Sequence, residues 1–374
     1  MPLNNKPGKR PMTRRPNQPA FRVTLAGASA LGVAALAFGI STVPASAAHV
    51  ALNETGSTLL YPLFGLWVPA YTAAKPDVTI SIAATNSGVG IQSAIAGTVQ
   101  IGTSDAYMSD EEAERNRQII SIPLAISAQT VNYNIPGLNA AALKLDGPAI
   151  AGIYAGRVRQ WDDPAIAALN PGATLPHHDI VPVRRNDPSG DTFVFTQFLD
   201  FSTQRWEDTV GYGTTINWPA VAGEVGAGGN DGMVKTIAAT PYSIGYAGIS
   251  FSGDIGKAGL GTAVLKNQNG KFVLPTAQTI SAAAATLDPR TPPDERLSLV
   301  DAPGDQSYPL VNYEYAVVSI NQPNAGTAAA IRDFLLWSIA VDGGNAAKYV
   351  GAVGFIALPD FIRAMSEQQI GRIQ

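Results

Sequence analysis

Short β-branched runs, small-residue polar loops and apolar helix-forming runs follow one another along most of this chain, and that order admits few folds. DVTISIAA (77–84) alternates as a strand does, and NSGVGIQSAIAG after it reads as a loop turning into a helix. VQIGTSDA (99–106) predicts a strand ending in a polar loop. SDEEAERNR (109–117) then starts a helix with a Ser cap and early acids. IISIPLAI (119–126) and TVNYNI (130–135) predict two strands, and PAIAGIYAG and DDPAIAAL predict short helices. DIVPVRR (179–185) predicts a strand that runs through NDPSGD into the helix TFVFTQFLDF (192–201). NYEYAVVSI (312–320) and GTAAAIRDFLLWSI (326–339) predict a last strand and helix. The class is α/β, and in such folds ligands bind where strands end and helices begin.

At 374 residues the chain exceeds one ordinary core, so two lobes are expected. Its charge is uneven. Residues 1–47 carry Lys6, Lys9, Arg10, Arg14, Arg15 and Arg22 and no acid, so the remainder has 25 − 6 = 19 basic against 29 acidic residues. A body near −10 does not bind nucleic acid through a general basic surface. An anion would need a few local donors, such as a helix N-terminus and an Arg. The absence of Cys removes disulfides, thiolate metal sites, a Cys nucleophile and a lipid-bearing Cys. His177 and His178 are adjacent, without the spacing of a helical metal pair, and read as a solvated loop. No metal and no cofactor is expected.

Residues 1–47 read as an export signal: a basic region to Arg22, the uncharged run at 23–42, and small residues Ala45-Ser46-Ala47 before a cut at Ala48. An uncleaved anchor is the other reading, since a run of about 20 residues can span a bilayer. Its Gly, Ala, Ser and Thr content favours cleavage. Arg14-Arg15 resembles a twin-arginine signal only weakly, because Pro16 follows.

Four polar loops are candidate site pieces. Gly56-Ser57-Thr58 precedes LLYPLFGLWVPAY and either caps a helix or exposes its N–H groups to an anion. Asn86-Ser87-Gly88-Val89-Gly90 lets backbone approach an anion, or is a plain Gly-rich turn; it lacks dinucleotide and P-loop patterns. Thr103-Ser104-Asp105 ends a strand. An ionised Asp105 accepts only, so it can bond an anion only through a proton on that anion. Protonated phosphate qualifies and sulfate does not. Arg184 to Thr192 places a guanidinium beside a helix start, two anion-holding devices in one short segment.

Together these segments resemble the high-affinity phosphate-binding proteins of phosphate ABC transporters, from about Thr55 to about Ile362. TNSGVGIQSAIAGTVQIGTSDAYMSDEE, IAGIYAGRVRQWDDPAIAALNPG, VPVRRNDPSGDTFVFTQFL and GNDGMVKTIAATPYSIGYA occur in the family's order. The resemblance implies a two-lobed periplasmic-binding-protein-like fold of type II. Each lobe would be a mixed sheet flanked by helices, with the ligand cleft between lobes. Boundaries follow as 48–129 plus 307–374 for lobe 1 and 130–306 for lobe 2, joined by two extended crossovers. It implies a phosphate site at Ser57, Thr58, the Leu59 N–H, Ser87, Asp105, Arg185, Ser189, Gly190, Asp191 and Thr192. Asp105 would accept the phosphate proton and Arg185 would supply the positive charge.

This chain departs from the family at three points. Asp191 stands where a Thr hydroxyl is usual, so its carboxylate must be paired or turned away, and Thr192 is a substitute donor. Leu59 replaces an aromatic, and the lipid-attachment Cys of Gram-positive relatives is missing. The implied function is phosphate capture outside the cytoplasmic membrane and delivery to an ABC permease, by a monomer that is not an enzyme. The alternatives are a secreted phosphatase on a related scaffold, which would need the metal cluster or nucleophile elbow not seen here, and a receptor for another oxyanion.

Overall fold

The computed structural model describes residues 49–139 and 142–374; the leader at 1–47 lies outside them. Twelve strands form two sheets. They are β1 (Val50–Thr55), β2 (Val78–Ser81), β3 (Ile101–Ser104), β4 (Ile119–Asn134), β5 (Lys144–Leu145), β6 (Val181–Arg185), β7 (Val225–Ala227), β8 (Ser243–Gly248), β9 (Gly261–Thr262), β10 (Val264–Lys266), β11 (Phe272–Val273) and β12 (Val311–Ser319). The large sheet runs β2-β1-β3-β12-β4-β8-β6-β7, with β9 also on β4; the small one runs β11-β10-β5.

The two strands expected at 119–126 and 130–135 are one strand of 16 residues. Residues 127–129, Ser-Ala-Gln, include no Gly, Pro, Asn or Asp to break the extended run, and β4 is buried along almost its whole length. Its partner changes midway. Residues Ile119 to Ala128 pair antiparallel with β12, and Gln129 to Asn134 pair with β8. β4 is thus the shared edge of two half-sheets, β2-β1-β3-β12 and β8-β6-β7.

Within each half the strands nearest the candidate loops are parallel: β1 with β2 and β3, and β6 with β7 and β8. Parallel strands need crossover helices, so helix starts collect at one end of each half-sheet. The expected helices are present. Ser109 and Glu112 form a capping box on Asp110–Arg115. Helix Tyr61–Ala74 buries Leu63, Phe64, Trp67 and Tyr71, a one-sided stripe at helical spacing. That stripe meets Phe334 and Trp337 of helix Ala325–Ile339, with ring centroids 5.8 Å apart for Phe64–Phe334 and 5.4 Å for Tyr71–Trp337. Each fully buried aromatic of this kind contributes about 1.5–3 kcal/mol. Among the described residues no helix is long and apolar enough to cross a membrane.

The stretch around Glu295 and Arg296 contacts the first half. Arg296 Nη1 bonds to Asp110 at 2.8 Å, and Glu295 Oε1 accepts from Ser366 Oγ at 2.8 Å. Glu295 is fully buried at φ +59°, and its other oxygen has no donor. Burial pushes its carboxyl up to about 8. The folded state therefore keeps a proton that the unfolded chain releases at its ordinary value, so rising pH removes stability between about 4.5 and 8. Glu295→Gln has no charge to bury. We expect it to match the parent near pH 5 and to be more stable by about 1–3 kcal/mol near pH 8, measured by denaturant unfolding at both values.

Candidate functional site

Every candidate loop of the first half leaves the C-terminal end of a parallel strand: Ser57 follows β1, Ser87 follows β2 and Asp105 follows β3. From the second half, Arg185 ends β6 and Ser189 caps helix Gly190–Ser202. All five are buried, at 1–2% exposure. The four loops meet.

Asp105 is the centre on the first half. Its Oδ1 accepts from the Ser57 hydroxyl, and its Oδ2 accepts from Ser87 Oγ at 3.2 Å. Ser57 Oγ in turn takes the Leu60 N–H at 2.9 Å. Thr58 does not cap the helix, which starts at Tyr61 without a side-chain cap. Leu59 is fully buried against Gly248. Gly190 comes from the other half to the same spot: a Cβ there would lie 2.5 Å from Ser87 Oγ and 2.6 Å from Asp105 Oδ2. Gly88 N donates to Pro188 O at 3.1 Å, a second tie between the halves.

Arg185 is held in ionic form. Its Nε donates to Asp187 Oδ1 at 2.6 Å, its Nη2 donates to Asp187 Oδ2, and its Nη1 donates to Asp191 Oδ2 at 2.6 Å. Burial opposes its charge, yet the Asp187 bonds and the charges of Asp191 and Asp187 outweigh burial and leave its pKa raised. Three of the five guanidinium N–H groups are used, so two remain for a ligand.

Asp191 is paired, as the sequence required. Besides Arg185, its Oδ2 accepts from Asn230 Nδ2 at 2.8 Å and from Ser189 Oγ at 3.4 Å. Its Oδ1 is buried without a partner. Burial first, then the charge of Asp105, pushes its carboxyl up to about 7. Burial alone raises Asp105, against hydrogen bonds from Ser57 and Glu314 and the charge of Arg185. Thr192 is not a free substitute donor in this conformation. Its hydroxyl bonds to Tyr246 OH at 2.7 Å, which also accepts the Arg185 N–H at 3.2 Å.

Sequence reasoning missed four neighbours. Asn230 ties the halves together, donating to Thr58 Oγ1 at 2.9 Å and accepting from Gly248 N at 2.7 Å. Its GGND context before helix Gly229–Ala239 was the available signal. Glu54 accepts from Thr103 Oγ1 at 2.6 Å, and Thr103 Oγ1 takes the Ser57 N–H at 3.0 Å. Tyr246 and Glu314 come from β8 and β12 and left no local signal. A cleft of about 670 Å³ is lined by Thr58, Tyr61, Asn86, Asp187, Gly229 and Asn230, of which Asp187 bonds to Arg185 and Asn230 to Asp191. His177 and His178 are exposed elsewhere, the first on Asp162 and the second stacked on Tyr242. Among the described residues no group of three or more His, Asp or Glu is placed to hold a metal ion.

Two half-sheets that share a crossing strand and meet over buried donors define a two-lobed binding protein. Consistent with that class, the model of the PBP superfamily domain matches residues 42–341. The chain is 31% identical to the phosphate-binding protein PstS of Methanocaldococcus jannaschii over 343 residues, 87% of each chain. It is 31% identical to PstS of Pasteurella multocida over 303 residues, 81% of this chain and 86% of that one. The chain belongs to the PstS family of phosphate-binding proteins within that superfamily. Solved structures share the fold. A high-affinity periplasmic phosphate-binding protein (PfluDING) superposes with TM-score 0.68 at 22% identity, covering 85% of this chain and 93% of that one. The phosphate-binding protein of Stenotrophomonas maltophilia gives 0.66 at 20% identity, covering 85% and 93%.

Gly190 has no room for a side chain, and overpacking of this kind costs about 1–3 kcal/mol. Gly190→Ala should separate the halves at this point. We expect faster backbone hydrogen exchange at Ser87 and Asp105 with little change in β1 or β12; unchanged exchange at the site would contradict the packing described.

Proposed function

We propose that this chain is an exported receptor that captures inorganic phosphate and delivers it to the membrane permease of an ABC importer. The observation that carries the reading is the meeting of Asp105 and Arg185, with Ser57, Ser87 and Gly190, at one buried point between the half-sheets. The names of the relatives, all phosphate-binding proteins, support the same ligand. The ligand contacts we propose are Ser57, Thr58, the Leu59 N–H, Ser87, Asp105, Arg185, Ser189, Gly190, Asp191 and Thr192. Phosphate must draw the hydroxyls of Ser57 and Ser87 from Asp105, that of Ser189 from Asp191 and that of Thr192 from Tyr246. The proposed lobes are 48–129 with 307–374 and 130–306, with the stretch around Glu295 and Arg296 laid on the first.

Capture makes and breaks no covalent bond. Phosphate exchanges its water shell for hydroxyls, backbone N–H groups and two guanidinium donors. Asp105 accepts the phosphate proton, so an anion without a proton meets bare repulsion. No enzymatic role is proposed: Ser189 spends its hydroxyl on Asp191 and its lone pairs on the Thr192 N–H, an arrangement for capping. Export rests on the leader, and the absence of Cys leaves no lipid tether through that residue. We take the receptor to act as a monomer without metal or cofactor and without nucleic acid.

Asp191 adds a pH dependence. Neutral below about 7, it tolerates phosphate beside it; ionised above about 7, it competes for Arg185 and repels the anion. Calorimetry of the mature protein should show heat with phosphate and none with sulfate at neutral pH. Asp105→Ala and Arg185→Ala should each abolish the phosphate heat. Parent affinity should fall about tenfold per unit as pH rises beyond about 7, and Asp191→Thr should flatten that fall. Equal heats for both anions, or a pH profile identical in Asp191→Thr, would refute the site or the role of Asp191 respectively.

A further inference from the structure

We propose that Glu314 is a neutral, standing proton donor to Asp105, a positioning residue that keeps Asp105 an acceptor and so sets the preference for protonated anions. This rests on the phosphate reading above and deepens it.

The strand register places the pair. Tyr315 of β12 pairs with Ser104, the last residue of β3, in an antiparallel ladder, and Glu314 and Asp105 each stand one residue beyond that pair. Asn312, on the same strand as Glu314, clamps the two: its Nδ2 donates to the Asp105 carbonyl at 3.2 Å and to Glu314 Oε1 at 2.9 Å. Ser127 of β4 donates to the same Oε1 at 2.6 Å. Glu314 is completely buried, and its Oε2 receives no hydrogen bond from any donor.

An oxygen so placed is costly as a carboxylate and natural as a hydroxyl. Two donors already fill Oε1, and the remaining neighbour of the carboxyl is Asp105, itself an acceptor of Ser57 and Ser87. With a proton on Oε2, Glu314 donates to Asp105 and satisfies both groups. Burial and then the charge of Asp105 raise Glu314 well above the usual carboxylate range, in the direction this arrangement needs. The charged groups around the pair are Asp105 itself, just past the end of β3, and Arg185, Asp191 and Asp187 beyond it from the other half. Ser127 and Asn312 are neutral. Arg185 already faces Asp187, Asp191 and Asp105, and an ionised Glu314 would add a further negative charge with no donor on its Oε2.

The consequence concerns specificity. While Glu314 donates, Asp105 stays ionised and accepts from the ligand, which admits phosphate and rejects sulfate. Without that donor Asp105 holds its own proton to a higher pH and becomes a donor, which admits an anion that carries none.

The test is calorimetry with inorganic phosphate and sulfate on the full mature chain, comparing parent, Glu314→Gln and Glu314→Leu. Gln keeps a neutral donor, so the phosphate-over-sulfate preference should match the parent. Leu has none, so the preference should shrink by tenfold or more, with sulfate binding appearing first at acidic pH. Phosphate bound by the parent with an undiminished preference in Glu314→Leu overturns this inference alone. An equal loss in Glu314→Gln also overturns it, because charge rather than donation would then matter. No phosphate binding by the parent overturns the underlying reading as well. Should Glu314→Leu fail to fold, the infrared difference between parent and Glu314→Gln at neutral pH decides: a protonated-carboxyl band in the parent supports the proposal, and its absence overturns it.

Discussion

Arg185 is buried with its charge, and the rest of the pocket is built around the need to keep it so. A guanidinium out of water is stable only if its N–H groups meet acceptors in good geometry. Asp187 supplies two oxygens and Asp191 a third, and the Tyr246 hydroxyl fixes the backbone that carries it. These contacts use three of its five N–H groups. The acidic residues then impose the opposite problem, since Asp105 and Asp191 sit within electrostatic reach of one another. In the function proposed here protons resolve it: on Asp191 below about 7, on the ligand at Asp105, and on Glu314 behind it.

The second constraint is β4. A single strand of 16 residues belongs to both half-sheets, and its hydrogen bonds pass from β12 to β8 at Ala128 and Gln129. Ligand loops therefore hang from rigid strand ends on both sides of one continuous element. Asn230 and Gly190 show how tightly the two sides meet, by side-chain bonds in one case and by the absence of a side chain in the other.

Much of this was legible in the sequence because it depends on short-range order. Strand, small-residue loop and helix recur with clear caps, so the loops holding Ser57, Ser87, Asp105 and Arg185 stood out, as did the need to pair Asp191. What was not legible depends on register between distant segments. Asn312 reaches the Asp105 carbonyl across 207 positions, and Glu314 sits in a run that reads as an ordinary buried strand. Tyr246 likewise looks like core until it meets Thr192 and Arg185. The sequence predicts two strands at 119–126 and 130–135 where the structure has the single strand β4. Ser127, Gln129 and Thr130 are instead buried with their side chains turned to partners inside, or in the case of Gln129 its backbone.

The central claim is that the site recognises an anion by the proton it carries. Neutron diffraction from crystals grown with phosphate at neutral pH tests it most directly. The account expects phosphate seated on Arg185 with a proton on the oxygen that faces Asp105, and none on Asp105. A protonated Asp105 against a bare phosphate oxygen, or phosphate bound away from both residues, would contradict it.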